Sequence, residues 1–406
     1  MIKSSCCNNW RDYSFHKFAI VFPATFGIIG AKLTALHTRL TGLIYLEHNM
    51  ELGIIGLPQS GKTTLFNALT RGDVPTGISG KALSIHTAVV DVPDERVEVL
   101  CDLFKPPKVV YAKVTYTDIA GLDGETSQSG ISGPLLNTLS KMDGFIHVIR
   151  HFENPLVPHF AGSIDPQRDL ATMEAELILN DMILVERKLN RLDEERQRGG
   201  VGRDKAQVAR ENDLFTKLAD SLSQEIPLRH VSFSEEERKM LSSYGLLSRK
   251  PQLIVINQSE DQLPLDIEVP FAKTHLIYIP AKLEMDIAQL PAEEAAMFRA
   301  SYGIKEPSLN RFIRLSYELL NLISFFTAAE KEVHAWTVKR GATALDAAGH
   351  IHSDMERGFI RAEVIGFDEL AALGGFTEAR QHGKLRLEGK KYLVQDGDVI
   401  TIRFNI

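Results

Sequence analysis

Cysteine is scarce in this chain, which has three cysteines among 406 residues. Two of them, Cys6 and Cys7, are neighbours near the start of the sequence, and this spacing fits neither a disulfide framework nor a cysteine-based metal site. The protein therefore needs no oxidising compartment, and we expect it in the cytoplasm.

The chain also lacks an excess of basic residues and a long hydrophobic run. Lysine and arginine number 46 against 53 aspartates and glutamates, which gives a formal net charge of −7. Any contact with nucleic acid would therefore need a local basic patch. The apolar run at residues 18–29 is interrupted by Pro23 and is too short to span a bilayer. We expect neither DNA nor a membrane among the partners.

What the chain does contain is a phosphate-binding loop. Residues 56–63 form a complete G-x-x-x-x-G-K-[ST] motif, and the apolar residues 52–55 before it predict a buried strand. The two glycines let the backbone curl until several N–H groups face a β-phosphate, and the positive end of the following helix adds to this field. We therefore expect a nucleoside triphosphate site. Its contacts would come from Gly56, Pro58, Gln59, Ser60, Gly61, Lys62, Thr63 and Thr64.

A second motif predicts the γ-phosphate and magnesium side of the site. Residues 109–118 are expected to form one strand that ends in the D-x-x-G motif of Asp118 and Gly121. Asp118 through water and Thr63 through its hydroxyl would hold Mg²⁺, while Lys62 would stabilise the transferred phosphate during hydrolysis. The Gly121 N–H can approach the γ-phosphate because glycine has no side chain in the way.

The segment expected to read the base departs from the guanine pattern. Guanine-specific proteins of this class carry N-K-x-D after a later strand, whereas residues 257–260 read Asn-Gln-Ser-Glu. The lysine is missing and the acid is a glutamate, which weakens the reason to prefer guanine. We expect Asn257 and Glu260 to contact the nucleotide, with ATP as the substrate and GTP as the alternative.

The leader, residues 1–49, is open to two interpretations. Basic residues precede its apolar run, which is typical of a weak signal peptide. The interruption at Pro23 and the nucleotide motif that follows favour the other interpretation. In that interpretation Met50 is the true start, and the leader is disordered or an artefact of the start site.

Together these motifs resemble the YchF / Obg-like ATPase family of TRAFAC P-loop NTPases, of which the chain would be a divergent member. The resemblance runs over about residues 51–406. Besides the motifs above, it rests on residues 92–96 (Val-Pro-Asp-Glu-Arg), 326–333, 335–337, 351–354, 357–363 and 395–398 (Gln-Asp-Gly-Asp).

The resemblance implies an α/β fold with three parts. These are a Ras-like P-loop NTPase domain with a mostly parallel sheet, a helical coiled-coil insertion, and a C-terminal β-grasp (TGS) domain. The expected borders are residues 50–168 with 250–321 for the NTPase domain, 169–249 for the insertion and 322–406 for the TGS domain.

The sequence supports each part. Apolar residues at alternating steps of four and three predict a helical seam, and the Gly-Gly-Val-Gly of residues 199–202 predicts the turn of a helical hairpin. A helix that packs on its neighbour is favoured over a dedicated partner-binding coiled coil. The seam residues are Ala171, Ala175, Ile178, Met182, Val185, Leu189 and Leu192. Short strands are expected at residues 333–338, 359–365, 385–387, 392–394 and 399–404.

Six basic residues of the C-terminal part are candidates for an RNA-facing patch, with an ordinary solvated surface as the equal alternative. They are Arg357, Arg361, Lys384, Arg386, Lys390 and Lys391. The resemblance implies the ribosome or RNA as a partner.

The residue that would orient the attacking water is altered. Ras-like enzymes place a glutamine after D-x-x-G, whereas this chain has Leu122, which cannot hold a water. The resemblance implies that His159, downstream of Phe152-Glu153-Asn154, replaces it, because a neutral imidazole accepts a hydrogen bond from water. A loop histidine with no chemical role is the alternative.

Both phosphate-sensing segments also differ from the family. In residues 77–87 only Ser84 and Thr87 are candidates for the threonine that senses Mg²⁺ and the γ-phosphate. Residues 123–130 keep glycines but lose the usual positive charge. Nucleotide binding should therefore survive even if hydrolysis is slow or altered.

These residues support two functional hypotheses. In the first, the chain hydrolyses ATP, or GTP, and uses the nucleotide state to control association with the ribosome or RNA in translation or stress regulation. In the second, it is a weakly hydrolysing or non-hydrolysing nucleotide-binding adaptor that acts through its helical and TGS surfaces. Phosphotransfer to a small molecule is disfavoured by the N-x-x-E segment and the lack of an arginine-rich lid.

Overall fold

The computed structural model describes residues 50–75, 84–120, 131, 133–197, 204–269, 274–301 and 306–405. All of them belong to one compact unit, Asn49–Ile406. The expectations for the leader lie outside the described residues. Within these ranges no helix is long and apolar enough to cross a membrane.

Strands and helices are interspersed along the described residues. The strands are β1 Glu51–Ile55, β2 Ser84–Asp91, β3 Lys108–Val110, β4 Lys113–Ala120, β5 Gly144–Arg150, β6 Gln252–Asn257, β7 His275–Ile279, β8 Leu322–Ala328, β9 Glu332–Lys339, β10 Phe359–Gly366, β11 Arg386–Glu388 and β12 Asp398–Phe404. The helices are α1 Lys62–Thr70, α2 Glu95–Phe104, α3 Gly133–Lys141, α4 Pro166–Gln197, α5 Lys205–Ser223, α6 Glu235–Leu241, α7 Ala281–Gln289, α8 Ala292–Ser301, α9 Ser308–Leu319, α10 Ala344–Ile351, α11 Ser353–Arg357, α12 Phe367–Leu373 and α13 Phe376–Gln381.

The first sheet has the strand order β2-β4-β1-β5-β6-β7. Only the β2–β4 pair is antiparallel, which confirms the expected mostly parallel α/β sheet. Strands β5 and β6 are buried along their whole length, as expected where helices cover both faces of a parallel sheet. Because parallel strands end at one edge, the segments after β1, β5, β6 and β7 come together there.

The second sheet has the order β11-β10-β12-β8-β9-β3 and mixes parallel with antiparallel pairs. Its inner face packs Phe325, Val338, Ala362 and Val364 against the small side chains of α10. Residues 392–394, expected as a strand, form only an isolated bridge in which Leu393 faces Thr343. Strand β8, which precedes the predicted strands, was not expected.

The expectation of a single strand over residues 109–118 is wrong. The structure has β3 and β4 with Tyr111 and Ala112 between them, and the two strands belong to different sheets. Strand β3 runs parallel to β9, with Val109 opposite Val333, whereas β4 lies between β1 and β2. An apolar pattern predicts extended backbone but does not record which neighbour it pairs with.

Helices α4 and α5 form the long helical part. Ile178 and Val185 of α4 pack against Leu214 and Leu218 of α5, and residues 199–202, expected as the turn, lie outside the described residues.

The first two predicted seam residues, Ala171 and Ala175, are exposed, which corrects the seam at its start. The reason is that the first turns of α4 face the first sheet instead. There Met173 and Leu177 pack with Phe145.

Candidate nucleotide-binding site

The phosphate loop follows β1 and is shaped by two glycines that no other residue could replace. Gly56 has φ 149°, and a Cβ there would lie 2.3 Å from the Val148 carbonyl oxygen. Gly61 has φ 93° and is the N-cap of α1, and its Cβ would lie 2.1 Å from Asn257 Nδ2. Both the left-handed backbone and the close approach of neighbours therefore require glycine.

Lys62 opens α1 and lies over the beginning of this loop. Its Nζ donates to the carbonyl oxygens of Gly56 and Leu57, each at 3.0 Å, and its side chain is buried. The same residue lines a neighbouring cavity. Its ammonium group is thus held beside the cavity, where a phosphate would compete with the two carbonyls for it.

Thr63 and Asp118 bring two oxygens together next to Lys62. Thr63 Oγ1 donates to Asp118 Oδ2 at 2.7 Å, and Asp118 is buried. Asp118 lies opposite Ile54 in the β1–β4 pairing, so the first strand and β4 place it beside the start of α1. A hydroxyl and a carboxylate are oxygen donors of the kind that Mg²⁺ prefers.

Asn257 at the end of β6 ties three segments together. Its Nδ2 donates to the Ser60 carbonyl at 2.9 Å, and its Oδ1 accepts the Ala281 N–H at 3.2 Å. Because both ends of this buried amide are engaged, Asn257 fixes the phosphate loop to β6 and α7. Glu260 is exposed three residues later.

These elements surround a cavity of about 640 Å³. Of the predicted nucleotide contacts, the residues that line it are Gln59, Gly61, Lys62, Thr63, Thr64, Asn257 and Glu260. Gly56, Pro58, Ser60 and Asp118 lie outside its lining, and Gly121 lies outside the described residues. The cavity is large enough for a nucleotide-sized ligand.

Several lining residues were missed at the sequence level. They are Phe152, Glu153, Asn154 and Val157 after β5, Gln258, Ser259 and Asp261 after β6, and Pro280, Lys282, Leu283 and Asp286 after β7. Their positions could have been predicted, because each group follows a strand of the parallel sheet, and these strands end at the edge that carries the phosphate loop.

His147 lies on β5 behind the phosphate loop and is buried. Its Nδ1 is 2.8 Å from Gln252 Nε2. Burial, together with the positive charges of Arg229 and Lys62, lowers the pKa of His147 to about 3. The imidazole is therefore neutral at pH 7 and adds no positive charge beside Lys62.

His159 does not line the cavity. It is buried on the other side of the phosphate loop, in a small cluster with Pro58, Ser60, Arg150 and Asp169. Thus the structure does not bring His159 to the cavity that Lys62 and Thr63 line. Its role in catalysis stays a prediction.

The candidate switch residues are described only in part. Thr87 of β2 lies within hydrogen-bonding distance of Thr117, with 2.9 Å between the two Oγ1 atoms. Ser84 begins β2, and residues 76–83 and 121–130 lie outside the described residues. The role of either residue as the γ-phosphate sensor stays a prediction.

The chain matches two protein-family models and several known relatives. A model of 50S ribosome-binding GTPases matches residues 51–188, and a model of the YchF GTPase C-terminal part, described as a protein of unknown function, matches residues 322–405. The ribosome-binding ATPase YchF of Bacillus subtilis is 40% identical over 366 residues, which cover 87% of this chain and 99% of the relative. Obg-like ATPase 1 of Oryza sativa is 35% identical over 370 residues, 88% of this chain and 93% of the relative.

A solved structure agrees with these matches. The YchF GTPase of Schizosaccharomyces pombe superposes with a TM-score of 0.75 at 29% identity, covering 87% of this chain and 98% of that one. The resemblance inferred from the motifs is thereby confirmed. The chain belongs to the YchF / Obg-like ATPase family.

Proposed function

We propose that the chain binds and hydrolyses ATP with Mg²⁺, and that GTP is the alternative substrate. One observation carries the proposal: Lys62 and Thr63 line one cavity together with Asn257 and Glu260. Phosphate-binding groups and the expected base-reading segment therefore share a single space. The enzyme class is a nucleoside triphosphate hydrolase.

Thr63 and Asp118 are the residues that would hold Mg²⁺. Their 2.7 Å contact places a hydroxyl and a buried carboxylate side by side at the loop, which fits a metal bound by few protein oxygens and by phosphates. When bound, the ion neutralises charge on the β- and γ-phosphates. Lys62 and the N-terminus of α1 stabilise the same phosphates, and Gly121 is the proposed donor to the γ-phosphate.

The base preference rests on the segment after β6. The cavity wall there contains Gln258, Glu260 and Asp261 but lacks the lysine and the aspartate of the N-K-x-D pattern. Asn257 is occupied by Ser60 and Ala281, so Glu260 is the proposed base contact. A glutamate one carbon longer than aspartate does not reproduce the paired acceptors that select guanine.

For partners we propose the ribosome or RNA, in the cytoplasm, and neither DNA nor a membrane. Relatives are named ribosome-binding ATPases. Arg357, Arg361, Lys384, Lys390 and Lys391 are all exposed. Some of this charge is balanced, since Arg357 pairs with Asp354 and Lys384 pairs with Glu369.

The sixth residue of this set, Arg386, is also exposed and lies 3.6 Å from Asp398. We therefore propose Arg361, Lys390 and Lys391 as the main RNA contacts of the patch. The proposed parts remain the NTPase domain at residues 50–168 and 250–321, the insertion at 169–249 and the TGS domain at 322–406.

Paired ATP and GTP titrations with single-turnover hydrolysis test the nucleotide proposal. We expect ATP to bind more tightly than GTP, and Lys62→Ala to slow turnover on the order of 100-fold, because one preorganised charge on the transferred phosphate is removed. Lys108→Ala is the matched control, since its side chain is 64% exposed and pairs with Glu332 in the second sheet. Tighter GTP binding would contradict the assignment of Glu260.

A second function is favoured by the position of His159. Because this side chain is buried away from the cavity, the chain would act as a nucleotide-binding adaptor with little or no hydrolysis if the histidine stayed there. Turnover by the unmodified protein no faster than that of Lys62→Ala would support the adaptor. Unchanged hydrolysis in His159→Ala would remove His159 from the mechanism.

A further inference from the structure

Asp169, in the first turn of α4, is a buried carboxylate that binds two side chains. Its Oδ2 lies 2.9 Å from His159 Nε2, and its Oδ1 accepts from Arg168 Nε at 3.0 Å and Arg168 Nη2 at 2.7 Å. The side chains of His159 and Asp169 are 3% and 4% exposed. The contact is therefore shielded from water, and a charge-assisted hydrogen bond is strong in such surroundings.

The other imidazole nitrogen of His159 decides the direction of that hydrogen bond. His159 Nδ1 accepts the N–H of Ala161 at 3.1 Å, so the ring proton sits on Nε2 and Nε2 donates to Asp169. Both nitrogens are thus used inside the cluster. In this arrangement the imidazole has no lone pair left to accept a hydrogen bond from a water at the γ-phosphate.

The segment that connects β5 to α4 borders two different spaces. Phe152 and Val157 line the nucleotide cavity, whereas His159 lines a separate small space together with Pro58 and Ser60 of the phosphate loop. His159 is only two positions beyond Val157 in the chain. The residues that border the two spaces are therefore separated by a single residue of backbone.

Arg150, whose positive charge lies near Asp169, holds the first half of the same segment. The buried Arg150 donates from Nε to the Phe152 carbonyl at 3.1 Å and from Nη2 to the Val157 carbonyl at 2.8 Å. Burial lowers the pKa of Arg150, and the negative charge of Asp169 opposes this effect. Arg150 therefore fixes this part of the cavity wall, and the carboxylate of Asp169 lies near both Arg150 and His159.

We propose that Asp169 is a positioning residue that holds His159 away from the nucleotide cavity, so that the histidine reaches the γ-phosphate side only after this contact breaks. The part concerning turnover rests on the proposed function. Because Asp169 belongs to α4, a partner that moves the first turn of this helix would change how readily His159 is released. The helical insertion would in this way regulate hydrolysis.

Asp169→Asn tests the proposal, since it keeps the shape of the side chain and removes its charge. We expect single-turnover ATP hydrolysis to rise on the order of tenfold, the change in release expected when a charge-assisted hydrogen bond becomes a neutral one. The gain should disappear in the double variant Asp169→Asn/His159→Ala. ATP affinity should stay unchanged, because Asp169 does not line the cavity.

A second readout does not depend on turnover. In ¹⁵N-labelled protein the His159 Nε2–H should give a slowly exchanging imidazole signal, assigned by its loss in His159→Ala, and Asp169→Asn should make it exchange rapidly. Arg168→Gln removes the guanidinium from Asp169 and leaves the carboxylate to His159, so it should act in the opposite direction and keeps the proposal testable if Asp169→Asn folds poorly. Asp193→Asn on the exposed face of α4 is the matched control and should change neither signal nor rate.

Slower or unchanged hydrolysis in Asp169→Asn would overturn the proposal, since slower turnover would mean that Asp169 orients His159 for its task. An unchanged imidazole signal would overturn it as well. If no variant hydrolyses ATP, the proposed function fails, whereas the imidazole signal still decides whether Asp169 holds His159.

Discussion

The two six-stranded sheets of this chain differ in strand direction, and this difference decides which of them carries the nucleotide site. In the first sheet, β1, β4, β5, β6 and β7 run parallel, so the segments that follow them meet at one edge. The second sheet is mixed, and its connections leave at both edges. Among the described residues, none that lines the 640 Å³ cavity belongs to the second sheet.

The second sheet is nevertheless joined closely to the first. Strand β3 comes from the N-terminal half of the chain and pairs with β9 at the edge of the second sheet. Only two residues separate β3 from β4, the strand of the first sheet that contains Asp118. Arg96 of α2 adds a side-chain contact to Asp396 beside β12. The nucleotide site therefore belongs to one sheet, although buried side chains of both sheets share one hydrophobic core, to which these junction contacts add.

Replacement of a glycine by alanine gives the largest expected difference between the two sheets. Gly61 and Gly341 have almost the same φ, 93° and 92°, but a Cβ at Gly61 would lie 2.1 Å from Asn257 and a Cβ at Gly341 would meet nothing within 4 Å. We expect Gly61→Ala to lower the free energy of unfolding by about 3 kcal/mol and to abolish ATP binding, from strain plus overpacking. Gly341→Ala should cost about 1 kcal/mol from strain alone.

Urea unfolding and ATP titration of both variants measure this difference. Equal losses of stability would mean that the backbone angle alone matters and that the Asn257 contact is unimportant. Retained ATP binding in Gly61→Ala would place the nucleotide elsewhere.

The phosphate loop was predictable because its structure is local. Residues 56–63 contain the glycines, the lysine and the threonine that the loop needs, and the strand and helix on either side follow from their own patterns. The resemblance of later motifs to the YchF / Obg-like ATPase family then predicted the fold class. Neither step requires knowledge of distant contacts.

The parts that were not predicted depend on pairing between distant segments. Strand β8 is an almost uninterrupted apolar run after α9, and such a run is equally typical of a buried helix. The separation of β3 from β4 follows from the partner β9, which lies far along the chain. The contact of His159 with Asp169 was hidden for the same reason, since the sequence shows a histidine and an aspartate but not their approach.

Arg96→Ala is expected to weaken the junction between the sheets by an intermediate amount. Arg96 Nη1 lies 2.9 Å from Asp396 Oδ2, its Nη2 lies 2.8 Å from Asp94 Oδ2, and its guanidinium lies 5.0 Å from the Phe326 ring centroid. We expect a loss of about 2 kcal/mol in the free energy of unfolding, because the partly buried carboxylate of Asp94 and the exposed carboxylate of Asp396 both lose a charged donor. Urea unfolding measures it.

A double-mutant cycle with Asp396→Asn separates the Asp396 contact from the rest. Because Asp396 Oδ1 also accepts the Ser324 N–H, the single variant Asp396→Asn disturbs β8 as well. The two substitutions should be coupled by about 1 kcal/mol, which is the share of the contact itself. Strictly additive effects would show that Arg96 stabilises the junction only through Asp94 and Phe326.

Lys108→Ala is expected to have the smallest effect, although it also lies at the junction. Lys108 Nζ lies 3.0 Å from Glu332 Oε2, but the lysine side chain is 64% exposed, so water and salt screen the pair and its loss should cost only about 0.5 kcal/mol. The backbone pairing of β3 with β9 does not need the side chain and should persist. Urea unfolding at low and high salt distinguishes the ion pair, which salt screens, from the backbone pairing of β3 with β9, which salt does not screen. A loss much larger than that of Arg96→Ala would mean that an exposed ion pair, rather than paired strands and a partly buried arginine, joins the two sheets.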